Sequence, residues 1–244
     1  MTCLIAGTIS VKSVLEAGHR AIHRLIVNPK KRSREIAYLI SLAKRQDIPV
    51  EEKDRQEMMD MAPNNGGVIL EIEPREIPPL TCSHPLDGLS VYISGVEDPY
   101  NMGSIARGLY AAGASRMIIQ KRDWTSALSV LIRASAGAWE KLEILSIERD
   151  EDLIEAAESA GRVIWSAARD DMAESLFEVK LPEDCLIAIG GAMRGLSSRI
   201  LYASDRHLYI PYGREFRNSL DSVTASAVFA FEWTKNNLQN GGEE

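Results

Sequence analysis

The sequence predicts an α/β protein in two parts: a small N-terminal α/β unit, then a larger C-terminal unit built on a parallel sheet. Three observations predict it. At 244 residues and 45% hydrophobic content the chain can bury the core of one large or two modest domains, and this composition excludes disordered, collagen-like and coiled-coil chains. Pro74, Pro78, Pro79 and Pro85 fall in a short stretch without periodicity, which interrupts backbone hydrogen bonding and places a linker at 79–87. The domains therefore span 1–78 and 88–244. Beyond the linker, apolar runs at 90–94, 117–119, 163–166, 186–189 and 208–210 alternate with helical stretches, the rhythm of parallel strands wrapped by helices.

Within the first part, residues 20–27 alternate and end in Leu25-Ile26-Val27 before Asn28-Pro29, which reads as a strand closed by a turn. A helix follows with Ser33 as its N-cap, and Ile36, Leu39, Ile40 and Ala43 keep one buried face until Asp47. A short strand at 48–51, a helix over 54–61, the turn Pro63-Asn64-Asn65-Gly66 and a strand over 67–72 complete the unit.

No run nears the ~18 consecutive apolar residues of a membrane span, and residues 1–7 lack a basic segment ahead of a long apolar one. The chain reads as cytoplasmic, with no membrane partner. Cys3, Cys82 and Cys185 are odd in number and lack C-x-x-C spacing, so they read as reduced. His19 and His23 have no third ligand nearby, and no metal is expected. The four tryptophans are scattered along the chain and read as packing residues. A net charge of −7 argues against indiscriminate attraction to nucleic acid. Its distribution is uneven: residues 1–78 are almost neutral and the remainder is strongly acidic. Arg20, Arg24, Lys30, Lys31, Arg32 and Arg34 share one acid-free window that could hold phosphates, although a solvated face would show the same run.

In a parallel sheet, ligands gather at the carboxyl ends of strands, so the loops leaving them are the candidate site. The first loop runs from Gly95 through Asp98, Pro99, Asn101 and Gly103 to Arg107 and opens a helix. Asn101 can cap backbone N–H groups there, and Arg107 can reach a phosphate or hydroxyl. A plain strand-to-helix turn with a surface arginine fits the same spacing. In the second loop, Gly190, Gly191 and Gly195 follow an apolar strand and would let backbone lie against a flat ligand. A dinucleotide fingerprint would need glycine at Ala192, which disfavours a nicotinamide enzyme. The third loop, from Ile210 and Pro211 to Ser219, Leu220 and Asp221, leads into a long helix for which Ser219 is the expected N-cap.

In this order and spacing the three loops resemble the SpoU, or TrmH-like, branch of the SPOUT ribose methyltransferases. Asp98, Pro99, Asn101, Gly103 and Arg107 meet the first motif, D-P-x-N-x-G-x-x-x-R, without a gap. The second motif, an apolar run then G-x-E-x-x-G-L, is met except at its acid, and the third at Ile210, Pro211, Ser219 and Leu220, with Gly213 one place early. The stretch 133–138 is similar to the S-A-G-A helix between the first two motifs, and residues 1–78 to the substrate-binding domain of many members.

The resemblance implies a C-terminal SPOUT domain with a trefoil knot and transfer of a methyl group from S-adenosylmethionine to a ribose 2′-hydroxyl of structured RNA, ribosomal RNA rather than transfer RNA. It implies a homodimer whose first-motif arginine completes the partner's pocket. Gly190, Gly191, Gly195, Ile210, Ser219 and Leu220 would hold the cofactor. Asn101, Arg107, Ser219 and Asp221 would serve the reaction, and the basic window would meet RNA. Two positions depart from the pattern: Ala192 replaces a glutamate and Asp221 an asparagine. Either Asp221 supplies the missing carboxylate, or the chain is a catalytically decayed RNA-binding protein of the same fold.

Overall fold

A computed structural model describes residues 2–74, 76–191 and 193–237. The chain divides into two compact units, and the division is not a single cut: Met1–Glu76 joins with Asp123–Lys141, and Ile77–Arg122 with Leu142–Glu244.

The first unit holds β1 (Cys3–Ala6), α1 (Thr8–Ala17), β2 (Ile22–Val27), α2 (Arg34–Arg45), β3 (Val50–Glu52), α3 (Arg55–Met61) and β4 (Val68–Ile72). Its sheet has the order β1-β4-β2-β3, with β4 antiparallel to both neighbours and β2 parallel to β3. Ser33 caps α2 as its hydroxyl accepts the Ile36 N–H at 3.2 Å, and Ile36, Leu39 and Ala43 are buried. Asp54 and Glu57 form a reciprocal capping box at the start of α3. β1 and α1 have no counterpart among the runs read from the sequence: β1 is only four residues long, and the helical spacing of Val11, Val14 and Leu15 begins directly after it.

In chain order the second unit opens with β5 (Leu89–Ile93), α4 (Pro99–Ala111) and β6 (Arg116–Gln120). The chain then contributes a 3-10 turn (Thr125–Ala127), α5 (Leu128–Ala134) and α6 (Ala138–Lys141) to the first unit. It continues with β7 (Glu143–Ile147), α7 (Asp150–Ser159), β8 (Ile164–Ala167), β9 (Glu174–Ser175), β10 (Cys185–Ile189), α8 (Ser198–Ala203), β11 (Arg206–Tyr209) and α9 (Ser222–Asn237). Seven parallel strands form the sheet, in the order β7-β6-β5-β10-β8-β11-β9. Such a sheet needs apolar cover on both faces, which is why β5 and β10 are buried along their whole length. α4 packs on α9 closely enough that a Cβ at Gly108 would touch the Cβ of Ala227 at 3.8 Å.

The proline-rich linker is not a free tether. Leu80 N–H donates to Ser146 O and Ser146 N–H to Pro78 O, each at 2.8 Å, while Leu80 and Leu86 are buried in the core of the second unit. Prolines fit at this strand edge because the donors come from their neighbours. The stretch 133–138 falls in the excursion that clusters with the first unit, where the sequence reading assigns it to 88–244. Trp124 and Trp139, distant in sequence reading, meet there edge to face with centroids 6.3 Å apart.

Candidate active site

The three loops leave β5, β10 and β11 at their carboxyl ends, and β5 and β10 are adjacent at the point where the strand order reverses. In an open parallel sheet that is where a crevice forms.

Asp98, rather than Asn101, caps α4. Its Oδ1 accepts the N–H of Asn101 at 2.8 Å, and Pro99 occupies the first helical position, where the missing N–H costs nothing. The Asn101 side chain is thereby free of capping duty and exposed. Met102, Ile105, Ala106 and Leu109 face inward, leaving Arg107 exposed, and its guanidinium meets no acceptor among the described residues.

Gly190 and Gly191 of the second loop are required by backbone packing rather than by a flat ligand, and Gly195 by its positive φ of 64°. A Cβ at Gly190 would lie 2.3 Å from the carbonyl carbon of Gly195, and one at Gly191 would lie 2.6 Å from the carbonyl oxygen of Gly95. The loop closes on itself where Gly195 N–H donates to Gly191 O at 2.8 Å. Ser222, the first residue of α9, donates its hydroxyl to Gly190 O at 3.0 Å. Neither glycine leaves the open cradle that a dinucleotide pyrophosphate needs, which removes the only motive for a nicotinamide enzyme. Ala192 lies outside the described residues.

In the third loop Asp221, not Ser219, caps α9. Its Oδ1 accepts Thr224 N–H at 2.9 Å and its Oδ2 the Thr224 hydroxyl at 2.7 Å, and these bonds hold its carboxyl below the usual carboxylate range. Ser219 stays exposed. An open cleft of about 430 Å³, within the size range of small-ligand sites, is lined by Pro211, Tyr212, Gly213, Arg214, Phe216 and Leu220. Leu220 N–H donates to the Tyr212 hydroxyl at 3.1 Å, while Arg169 stacks on the Tyr212 ring at 4.6 Å and reaches Phe216 O at 3.4 Å. Tyr212, Phe216, Arg169 and Ser222 are absent from the residues expected from the motifs. The interleaving of aromatic and basic residues from Tyr212 to Arg217 is the signal that marks Tyr212 and Phe216, while Arg169 and Ser222 reach the site only through the fold.

The basic window is split by the fold. Arg20 forms a two-pronged ion pair with Glu140, Nε to Oε2 at 2.9 Å and Nη2 to Oε1 at 2.8 Å, and the two side chains are 2% and 0% exposed. Arg24 is bound by Glu71, at 2.6 Å, and by Glu51. Both therefore serve the fold, which corrects their placement among phosphate-binding residues. Lys30, Lys31, Arg32 and Arg34 are exposed and make no side-chain ion pair among the described residues. No helix among the described residues is long and apolar enough to cross a membrane.

Residues 88–231 match the SpoU rRNA Methylase family, and residues 4–78 match the RNA 2′-O ribose methyltransferase substrate binding family. A protein of Staphylococcus haemolyticus assigned to the TrmH family of tRNA/rRNA methyltransferases is 27% identical over 98% of this chain and 97% of its own length. The fold is that of an AdoMet-bound rRNA methyltransferase from Sinorhizobium meliloti, with a TM-score of 0.80 and 22% identity over 98% of this chain and 88% of the other. The SpoU methyltransferase AviRb from Streptomyces viridochromogenes, solved with AdoMet, superposes with a TM-score of 0.77 and 20% identity over 97% of this chain and 91% of its own. With its catalytic-family match covering more than half its length, the chain belongs to the SpoU rRNA methylase family.

Proposed function

We propose that this protein transfers a methyl group from S-adenosylmethionine to a ribose 2′-hydroxyl of structured RNA, with ribosomal RNA as the substrate. The observation that carries the reading is that the three motif-bearing loops leave the parallel strands β5, β10 and β11 at the same carboxyl edge of the sheet. An open cleft lies along the third loop, and an unpaired arginine lies on the helix opened by the first. The residues present fit the cofactor: the cleft has ligand size and its wall at Pro211 and Leu220 is apolar, as an adenosyl group requires. The cofactor supplies an electrophilic methyl on a sulfonium, so the protein has to position the acceptor and manage one proton.

Backbone groups of Gly190, Ile210 and Leu220 would hold the cofactor, with the Gly190 carbonyl tied to the start of α9 by the Ser222 hydroxyl. Arg107 offers a planar fork of N–H donors and no acceptor, so it orients the RNA phosphate and the reacting hydroxyl. Asn101 supports that orientation and Ser219 offers a hydroxyl beside Leu220. Asp221, held ionised at the α9 cap, adds a fixed negative charge next to the cleft. With the cofactor bound, the ribose oxygen would take the methyl group and lose its proton to solvent or to a phosphate oxygen. In a homodimer the unpaired Arg107 of one protomer completes the site of the other. Lys30, Lys31, Arg32 and Arg34 hold RNA phosphates.

A second reading, an RNA-binding protein of this fold without turnover, is favoured by one observation: both Asp221 oxygens are engaged by Thr224, so this carboxylate does not swing freely to replace the glutamate missing at Ala192. Incubation with methyl-labelled S-adenosylmethionine and ribosomal or transfer RNA separates the two. Label in ribose that falls at least about a hundredfold in Arg107→Ala supports the enzyme, an effect of ~3 kcal/mol as expected for loss of a charged positioning group. Equal incorporation by both proteins removes Arg107 from the mechanism, and none by wild type supports the second reading.

A further inference from the structure

We infer that the Tyr212–Phe216 rim of the cleft is a stacking platform for an unpaired base of the RNA substrate, so that the acceptor is presented in a loop, bulge or end rather than inside a duplex. The inference rests on the functional reading above and narrows its substrate.

The rim is built to meet a flat, anionic ligand. Tyr212 is held on two sides, by Arg169 over its ring and by the Leu220 N–H on its hydroxyl, so its orientation is set before any ligand arrives. Phe216 stands 6.0 Å away at a tilt of 52°, and 49% of its surface is exposed. An aromatic ring left half in water on a cleft wall awaits an apolar face. Arg214 and Arg217 are exposed beside it and make no ion pair among the described residues. With Arg169 they outnumber the two acids of the loop, Glu215 and Asp221, in a part of the chain whose overall charge is strongly negative.

That charge decides between the two possible occupants. S-adenosylmethionine carries a net positive charge at neutral pH and is repelled by a rim of arginines, whereas a nucleotide brings a phosphate for the guanidinium and a π-face for the ring. The cofactor therefore takes the inner wall at Pro211 and Leu220, and the nucleotide takes the rim. Bases in an A-form duplex are stacked on each other and offer no free face, so only an unpaired base can use such a rim.

The test uses the full-length protein, a short fluorescein-labelled single-stranded oligoribonucleotide, and the same strand annealed into a full duplex. Anisotropy reads RNA binding and calorimetry reads S-adenosylmethionine binding. Phe216→Leu weakens single-strand binding about tenfold, the size of one lost base–aromatic stack. Phe216→Tyr restores it, and neither variant changes duplex binding or cofactor affinity. With a 5-bromouridine-substituted strand, photo-cross-links fall on Tyr212 or Phe216. Single-strand affinity within about twofold of wild type in Phe216→Leu, cross-links confined to residues 28–35, or a parallel loss of cofactor affinity would each overturn the inference. RNA binding is read without turnover. A wild type that methylates nothing while Phe216→Leu loses single-strand binding refutes the activity and leaves this inference standing; the converse result sinks the inference alone.

Discussion

Arg20 and Glu140 form a buried ion pair between residues distant in sequence, and Glu140→Leu should reveal what that pair contributes. Both side chains are out of solvent, at 2% and 0% exposure, and the carboxylate satisfies two guanidinium N–H groups at 2.8 and 2.9 Å. Removing the acid leaves a guanidinium with no water and little else to bond, since its remaining contact is Glu73 O at 3.5 Å. The cost of stranding a buried charge is about 3–5 kcal/mol. For a chain of this length, ~2–4 °C of melting temperature per kcal/mol gives a drop of roughly 6–20 °C. Replacing both partners, as Arg20→Met with Glu140→Leu, removes the stranded charge and should recover most of the loss. Urea unfolding followed by tryptophan fluorescence reads it directly, because Trp139 precedes Glu140 and contacts Trp124. A single substitution costing less than about 1 kcal/mol, or a double one costing as much as the single, would refute the reasoning. The double variant also asks whether Arg20 touches RNA: if the arginine is structural, RNA affinity is unchanged.

Gly190→Ala places a Cβ against backbone at 2.3 Å, so the loop has to shift; a loss of about 1–3 kcal/mol in stability and weaker S-adenosylmethionine binding are expected by thermal unfolding and calorimetry. His207 titrates above its ordinary value: burial disfavours its charged form, but Nε2 facing Leu201 O at 3.1 Å and Nδ1 facing Asp170 Oδ2 at 2.7 Å outweigh burial. Its contribution to stability is therefore fully present below the unfolded value of about 6.5 and is lost as pH rises through the folded one. Stability of wild type relative to His207→Gln should fall across that interval, and a constant difference would count against the pair. Charge reversal at Lys31 and Arg34 should weaken RNA binding and flatten its salt dependence, with unchanged affinity placing the RNA elsewhere.

Where local rules dominate, sequence and structure agree closely. Ser33 caps α2 and Asp54 caps α3 because a short polar side chain ahead of an apolar-periodic run has few other uses. The five apolar runs of the second part all fall on strands, four of them largely buried and β11 buried at Leu208 alone. β7 and β9 escape notice because β7 begins with an exposed glutamate and is interrupted by Ser146, and β9 has two residues. At the site, the motif positions fall on loops at the carboxyl ends of β5, β10 and β11, but the caps are displaced, to Asp98 from Asn101 and to Asp221 from Ser219. The caps lie three residues before Asn101 and two after Ser219, and because Asp, Asn and Ser cap about equally well, only the backbone path decides which oxygen meets a free N–H.

The sequence by itself determined the two-part α/β organisation, five of the seven strands of the larger sheet and the three loops that bear the motifs, because hydrophobic period and glycine or proline punctuation act over a few residues. Tertiary structure alone decided which cations are free and which are spent. Arg20 and Arg24 look identical to Lys31 and Arg34 in the chain, yet carboxylates from Glu140, Glu71 and Glu51, distant in sequence, neutralise the first pair and leave the second in water. The same holds for Gly190 and Gly191, whose missing side chains make room for backbone at Gly195 and at Gly95. Charge pairing and close packing depend on distance in space, which folding sets and sequence separation does not encode.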